Sequence, residues 1–376
     1  MPEDIAVIGG SAAGFYTAYQ LAKKGLEVRV FEAKHALDPF PRTLIVTSYL
    51  SRLMGSLCEE SVVNRIKNYD LYADGRFANV SLQHPDVVIE RSTLIRRLAE
   101  RAEESGVKIH TDQRFMSLKP NGSRVSFTVS PNGEQRRVEE SADVVIGADG
   151  AFSRVAQSAG WPQQPTVPLV QAVVKLPDDM PPDTTRIWFR PEDTPYFYWL
   201  IPHSSTHGVL GLIGEEQTKT WKALENFLES KALEPLEFQN ALIPRYDSWI
   251  PFCRNIEESR VYLVGDAAGH VKVTTVGGLV TGFRGALGVV EAITNGGSSP
   301  HSTGLRLELD LHRVIRRALN QFREKDYARL LGLLTPSVRR SLSFFHRDET
   351  SKLLLQVFYK NPRLLLLGLR SFLFGE

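Results

Sequence analysis

The sequence predicts an α/β protein in three parts: an open parallel sheet covered by helices, a β-rich insert that interrupts it, and a helical C-terminal region. Three observations predict this. Short apolar strands that run into glycine turns recur at 4–14, 142–150 and 260–278, the pattern of buried parallel strands. Between 166 and 213 short alternating segments are separated by proline clusters, which reads as antiparallel sheet. From Leu311 onward apolar residues recur at helical spacing.

The first strand is Asp4 to Ile8. It runs into Gly9-Gly10-Ser11-Ala-Ala-Gly14 and an apolar helix, and a second strand, Val28 to Phe31, ends in Glu32. Glu32 lies where a dinucleotide-binding fold places its ribose carboxylate. Ser11 replaces the middle glycine and is small enough for a pyrophosphate to approach. Further on, Glu90-Arg91 opens a helix whose apolar positions include Leu94 and Leu98, followed by Gly106 and a strand. A cation at a helix N-terminus works against the dipole, so Arg91 requires a partner from elsewhere or is a solvated surface charge. Ala142 to Ile146 is another apolar strand, ending in Gly147-Ala148-Asp149-Gly150.

The richest stretch is Arg260 to Gly278. Val261 to Val264 reads as a covered strand, Gly265-Asp266 as the turn at its carboxyl end, and Gly277-Gly278 as the entry to a helix over Leu279 to Thr294. Open α/β sheets bind ligands at that end. A carboxylate for hydroxyls beside a helix N-terminus for an anionic oxygen suits the ribityl chain and pyrimidine edge of a flavin. The same pattern also fits a strand–turn–helix without a ligand.

These pieces, in this order, resemble the FAD-dependent oxidoreductases of the p-hydroxybenzoate hydroxylase fold over about residues 1–300. The resemblance implies a Rossmann-like FAD-binding domain, a β-sheet substrate domain and bound FAD. It implies that Gly9, Ser11, Gly14 and Glu32 hold the ADP half, that Arg91 contacts the flavin side chain, and that Asp149 braces the pyrophosphate region. Asp266, Gly277 and Gly278 would hold the ribityl chain and isoalloxazine edge. The family's arginine after the Asp149 turn is absent at Ala156, with Arg154 as its possible substitute. By this reading the FAD domain combines 1–65, 85–165 and 255–300, the substrate domain combines 66–84 and 166–254, and 301–376 is the helical region. Asp74-Gly75 makes 66–84 a hairpin that joins the second sheet.

Two further segments resemble the geranylgeranyl reductases. Tyr196-Phe197-Tyr198-Trp199-Leu200-Ile201-Pro202 is similar to that family's Tyr-x-Trp-x-Phe-Pro, with departures at Phe197 and Ile201. Gly265 to Gly278 is similar to its Gly-Asp-Ala-Ala-Gly-x-Val-Lys-Pro-Thr-Thr-Gly-Gly-Gly, with Val273 for proline and Val276 for the first of the three glycines. Pro41-Arg42-Thr43-Leu44 stands where that family often has Cys-Gly-Gly. The resemblance implies a reductase of isoprenoid double bonds, with an isoprenoid or other apolar substrate. The sequence shows no second nucleotide-binding fold, so the expected electron donor is NAD(P)H docking transiently or a small redox protein. Trp199 suits a prenyl chain and suits a core equally. Of Tyr196 and Tyr198, at least one should point away from Trp199's face. His270, Thr274, Thr275 and Tyr198 are the proton-donor candidates, His270 because an imidazole titrates near neutral pH, although a structural histidine suits the same position; reduced flavin or ordered water are the alternative donors. The alternative is a flavin-dependent monooxygenase or halogenase, because Phe197-x-Trp199-x-Ile201-Pro202 also resembles the halogenase Trp-x-Trp-x-Ile-Pro. A non-catalytic flavoprotein is the third reading.

Composition bounds the rest. The chain has 376 residues, 42% of them hydrophobic, and a net charge of +2, which gives no broad basic surface for nucleic acid. The two cysteines, Cys58 and Cys253, have no metal-ligand spacing and suggest no disulfide framework. The first strand begins almost at Met1, so a cytoplasmic protein without a signal peptide is expected. No apolar run reaches the ~18 residues of a membrane span. Thr335-Pro336 and Asn361-Pro362 each read as a helix cap followed by proline. The last segment, from Pro362, mixes leucine and phenylalanine with Lys352, Lys360, Arg363 and Arg370 around it. It suits either peripheral attachment at the inner face of a membrane or helices packed over the substrate domain.

Overall fold

The computed structural model describes residues 3–35, 42–131, 137–296 and 299–374. Pro41 and residues 375–376 of the apolar tail lie outside the described residues. A six-stranded sheet orders Cys253–Ile256, Ser259–Leu263, Val144–Gly147, Asp4–Ile8, Glu27–Phe31 and Lys108–His110 side by side. All neighbours are parallel except the edge strand Cys253–Ile256. The three strand–turn pieces read from the sequence are thus its three central strands. Helices Ala12–Ala22, Arg91–Glu104 and Leu279–Asn295 share one core with the sheet, built on Phe15, Leu21, Leu98 and Phe283. The second core carries a three-stranded antiparallel sheet, Gln113–Asn121, Arg124–Pro131 and Val138–Ala142. That small sheet was not expected. Its strands carry Lys119, Arg124 and Glu139 among short apolar stretches, which hides the alternation.

The second sheet has eight strands, in the order Pro235–Pro244, Thr166–Lys175, His207–Ile213, Tyr198–Pro202, Thr184–Trp188, Val62–Ala73, Arg76–Glu90 and Thr43–Val46. The hairpin at Asp74-Gly75 is there, both turn residues having positive φ (44° and 68°), as a tight two-residue turn requires. It is longer than 66–84, and its partner Thr43–Val46 also belongs to this sheet. The extension was missed because Val87-Val88-Ile89 is a continuous apolar run, buried throughout, which lacks period-two alternation. Thr184–Trp188 joins the hairpin in parallel.

One face of this sheet packs on the helix Gln217–Ser230 through Tyr198, Leu210, Leu212 and Phe227. The other carries Ile66, Tyr69, Val80 and Ile187, packed on the C-terminal helices through Phe322, Tyr327, Leu331 and Val338. Those helices are Pro300–Asn320, Glu324–Gly332, Pro336–Phe344, Thr350–Lys360 and Pro362–Phe374. Thr335 caps its helix, its hydroxyl accepting from the Val338 amide at 3.4 Å, and Asn361 accepts from the Arg363 amide at 3.3 Å. In the first of the five, the buried stripe is Leu305, Leu309, His312 and Arg316, while Val314 is exposed. Arg316 and His312 stand on the inward face with Leu305 and Leu309, and of the apolar residues read at helical spacing Ala318 and Phe322 are buried. No helix among the described residues is long and apolar enough to cross a membrane.

Candidate active site

The glycine turn after the first strand is built around close backbone approach. Gly9 has φ +108°, and a Cβ there would stand 2.6 Å from the carbonyl oxygen of Ala148. A Cβ on Gly14 would stand 2.2 Å from the carbonyl oxygen of Gly9. Both positions therefore exclude a side chain, one for the turn and one for seating the helix against the strand. Ser11 is the N-cap, accepting from the Gly14 amide at 3.1 Å. Glu32 accepts from the Gly10 amide at 2.6 Å and from the Lys34 amide at 2.8 Å. The result is a helix N-terminus at the carboxyl end of a parallel strand with an acid beside it, which can take a pyrophosphate and a ribose.

Across the turn, Asp149 accepts from the Ser153 hydroxyl at 2.5 Å and from the amides of Arg154 and Val155 at 2.7 and 3.2 Å. Burial raises its pKa despite those bonds. Asp149 thus fixes the 148–155 turn against which Gly9 packs. Arg154 does not serve that turn. Its guanidinium points at the carbonyl oxygen of Phe115 and the sulfur of Met116, at 3.4 and 3.7 Å, because its helix faces the three-stranded sheet.

Asp266 follows the strand Ser259–Leu263 and is buried within the electrostatic reach of two arginines. Burial raises its pKa, and Arg42 and Arg91 oppose the rise. Arg42 is pushed down to about 10 by burial and by the like charge of Arg91, with Asp266 acting against both. Burial lowers Arg91, opposed by Asp266 and then Glu90. Arg91 therefore has the partner its position at a helix N-terminus requires. Its helix is capped by Glu90, whose carboxylate accepts from the Ser92 and Thr93 amides at 3.1 and 2.7 Å. Two guanidiniums around one carboxylate leave a net positive site suited to an anionic ligand group. Arg42 was missed as a site residue, since in sequence it marked only a departure from a cysteine turn. A charged residue in an apolar neighbourhood just before a strand was the available signal.

The segment 270–278 carries the remaining candidates, and the structure separates them. His270 is fully buried, stacked on Trp249 at 5.8 Å between ring centres. Its Nδ1 would lie 2.1 Å from a Cβ on Gly285. Neither ring nitrogen has a hydrogen-bond partner among the described residues. Burial drives its pKa down to about 3, so it is neutral at pH 7 and the expectation of near-neutral titration is corrected. Tyr198 lies on the far face of the second sheet, its ring stacked on Phe227 at 3.9 Å and its hydroxyl on Asp193 Oδ2 at 3.0 Å. Strand alternation turns it away from the segment. Thr275 is exposed, whereas Thr274 is buried and bonded to His312 Nδ1 at 2.6 Å. Lys272 and Thr274 both reach to the C-terminal helices. Val276, where the resembled motif has glycine, sits at φ +51°, an unfavourable conformation for a β-branched side chain.

Trp199 is only 8% exposed and shares a cluster with Tyr196, Ile213 and Val271, against which Val276 packs. A Cβ on Gly211 would stand 2.7 Å from its ring, so that glycine makes the room. Trp199 and Tyr196 therefore pack with the apolar positions of the 271–276 segment, Val271 and Val276. Gly277 and Gly278 open the helix beneath it, and a Cβ on Gly278 would lie 3.2 Å from Asp266 Oδ1. The carboxylate and the helix entry form one cradle.

This geometry defines a flavin-binding fold. The chain belongs to the FAD binding domain family, which it matches over residues 3–295. It is an FAD-dependent oxidoreductase with the p-hydroxybenzoate hydroxylase architecture, related to the geranylgeranyl reductases. It is 27% identical over 299 residues to digeranylgeranylglycerophospholipid reductase 2 of Methanothermobacter thermautotrophicus, covering 74% of each chain. It is 27% identical over 336 residues to the chloroplastic geranylgeranyl diphosphate reductase of Oryza sativa, covering 83% of this chain and 70% of that protein. In fold it is similar to a geranylgeranyl bacteriochlorophyll reductase-like protein of Thermoplasma acidophilum, with TM-score 0.79 and 18% identity over 97% of this chain and 98% of that one. A flavin-dependent halogenase also shares the fold, at TM-score 0.63 and 18% identity over 96% of this chain and 71% of that one.

Two predictions follow from the local electrostatics. Asp266→Ala should weaken FAD binding by about 1.5–3 kcal/mol, the worth of a hydrogen bond to a charged group. Flavin release on dilution measures this, and wild-type affinity in the variant would defeat the assignment. His270 makes stability depend on pH. Its folded pKa lies below the ~6.5 of an unfolded histidine, so its contribution is complete above pH ~6.5 and is lost as pH falls toward the folded value. Between pH 6.5 and 5 this costs about 2 kcal/mol. His270→Gln should lack that part of the slope in urea unfolding, and parallel slopes in the two proteins would refute it.

Proposed function

We propose that this protein saturates carbon–carbon double bonds of an isoprenoid chain carried by a lipid or prenyl substrate. The observation that carries this reading is that Trp199 and Tyr196 share one buried cluster with Val271, against which Val276 packs, next to the flavin cradle. The names of the sequence relatives support the substrate class. When bound and reduced, FAD supplies a hydride from N5. The residues do the rest. Gly9, Ser11, Gly14 and Glu32 hold the ADP half, and Asp149 fixes the turn that supports it. Arg91 and Arg42 meet an anionic part of the cofactor near Asp266, which takes ribityl hydroxyls. Gly277 and Gly278 let the isoalloxazine edge reach the helix N-terminus. Trp199 presents an apolar surface that aligns an alkene and excludes water, since an isolated double bond is a poor electrophile and orientation must supply much of the rate. His270 is neutral and enclosed, so Thr275, exposed beside the cradle, is the residue of this segment placed to relay a proton from solvent to the second carbon. Electrons come from NAD(P)H or a small redox protein.

The test is reduction of a geranylgeranyl-bearing lipid by the reduced holoenzyme, read by mass spectrometry as two hydrogens gained per double bond. Hydroxylated or halogenated product with oxygen consumption would instead establish a monooxygenase or halogenase. In the same assay Trp199→Ala should lower turnover by about tenfold or more through lost alignment, with FAD affinity unchanged and Trp199→Phe retaining the fold. Equal loss of flavin and activity would make Trp199 a core residue only.

The C-terminal helices support a lipid surface as the substrate's source. Leu355 and Tyr359, four residues apart on one helix, are 72% and 78% exposed, and Leu366 on the next is 62% exposed. Lys352, Lys360, Arg363 and Arg370 lie around them. Such a face suits peripheral attachment, with each basic residue near anionic lipid contributing up to about 1 kcal/mol. The protein should float with anionic vesicles at low salt and partly detach at high salt. Protein that stays at the bottom of the gradient at low salt would exclude attachment.

A further inference from the structure

The segment between the helices Pro336–Phe344 and Thr350–Lys360, His346-Arg347-Asp348, inserts between the two halves of the molecule. Asp348 Oδ1 accepts from Lys272 Nζ at 2.5 Å, and its Oδ2 accepts from the Thr47 hydroxyl at 2.5 Å. Both partners of the ion pair are buried, Lys272 to 10% and Asp348 to 1% side-chain exposure. Arg284, on the helix that opens at Gly278, donates to the Asp348 carbonyl at 3.3 Å. Lys272 folds back across Gly277: a Cβ there would lie 3.5 Å from Cε and 3.9 Å from Nζ, which is the nearest charged atom to that position. Its backbone closes the same turn, accepting from the Val276 amide at 2.7 Å and donating to the Gly277 carbonyl at 3.2 Å. A cation so placed would lie beside the pyrimidine edge of a flavin seated on Gly277 and Gly278, where charge alters flavin electronics.

We propose that Asp348 is a positioning residue for the flavin: it holds Lys272 at the Gly277 cradle and balances its charge, so that a segment beyond the FAD-binding region sets the electron affinity of the cofactor. This rests on the placement of the isoalloxazine edge given above. Asp348→Asn leaves the lysine charge unbalanced, which should favour negative charge on the flavin. Lys272→Gln leaves the carboxylate, which should disfavour it. A purely structural pair would move both variants in the same direction.

Sulfite reads this without turnover, because its addition to N5 of oxidised flavin places negative charge on the pyrimidine edge. Titrated against the purified holoproteins, sulfite should bind about five- to tenfold more tightly to Asp348→Asn and about five- to tenfold more weakly to Lys272→Gln than to wild type, taking roughly 1 kcal/mol per fivefold change. Affinities that change in the same direction, or not at all, overturn the proposal. If a single variant does not accumulate with flavin, the double variant, which leaves no unpaired charge, replaces it. Because Nζ is the nearer group, the double variant should bind sulfite about two- to threefold more weakly, and an unchanged affinity overturns the proposal. Asp266→Ala separates the two levels. If it keeps flavin at wild-type affinity, the placement of the cofactor fails. If it loses flavin while the sulfite affinities do not split, only the role of Asp348 fails.

Discussion

Two sheets that share no strand must be held in fixed register for the turn at Gly277 to keep its neighbours, and ion pairs on buried carboxylates do much of this holding. Lys272 on the flavin turn pairs with Asp348, and the adjacent Arg347 pairs with Asp86 on the hairpin. Burial alone would push Asp348 up, yet the Lys272 charge and the bonds from Lys272 and Thr47 hold it below the usual carboxylate range. Asp86 is raised by burial, with Arg347 and the Tyr69 hydroxyl acting against the rise. A buried pair adds little over an apolar replacement, but breaking one partner is costly. Apolar surfaces could slide past one another at small cost. Two directional pairs on successive residues cannot.

The cofactor half was legible in the sequence because its signals are local. A turn that excludes Cβ atoms writes glycine at Gly9 and Gly14, and a covered parallel strand writes an unbroken apolar run before Asp266. Each can be read within about twenty residues. The partners of those residues are written elsewhere. Nothing near Asp266 announces Arg42, which is more than two hundred positions away, and nothing near Lys272 announces Asp348. Alternation correctly demanded that at least one of Tyr196 and Tyr198 turn away from Trp199 but could not say which. The helix Gln217–Ser230 decides it by offering Phe227 as a stacking partner for Tyr198.

His270 shows the opposite failure. Its place after a Gly-Asp turn made it attractive for chemistry, and its charge was the reason. The fold gives it a pocket cut by Gly285 and walled by Trp249, in which no charge is tolerated. The Lys-x-Thr motif follows the same logic. Lys272 and Thr274 face Asp348 and His312 rather than Trp199 and Tyr196, so the side chains of the flavin turn also tie it to the C-terminal region.

The parallel pairing of Thr184–Trp188 with Val62–Ala73, and of Val144–Gly147 with Ser259–Leu263, has a consequence for synthesis. Neither sheet can be completed from a continuous stretch of chain. During translation the hairpin must wait nearly a hundred residues for its neighbour, with one edge open. Lys272 must then wait for Asp348 to leave the ribosome. Folding dominated by such distant contacts is slow and leaves unpaired edges exposed. A nucleotide bound early at Gly9 to Gly14 would give the nascent chain a fixed point before either sheet is complete.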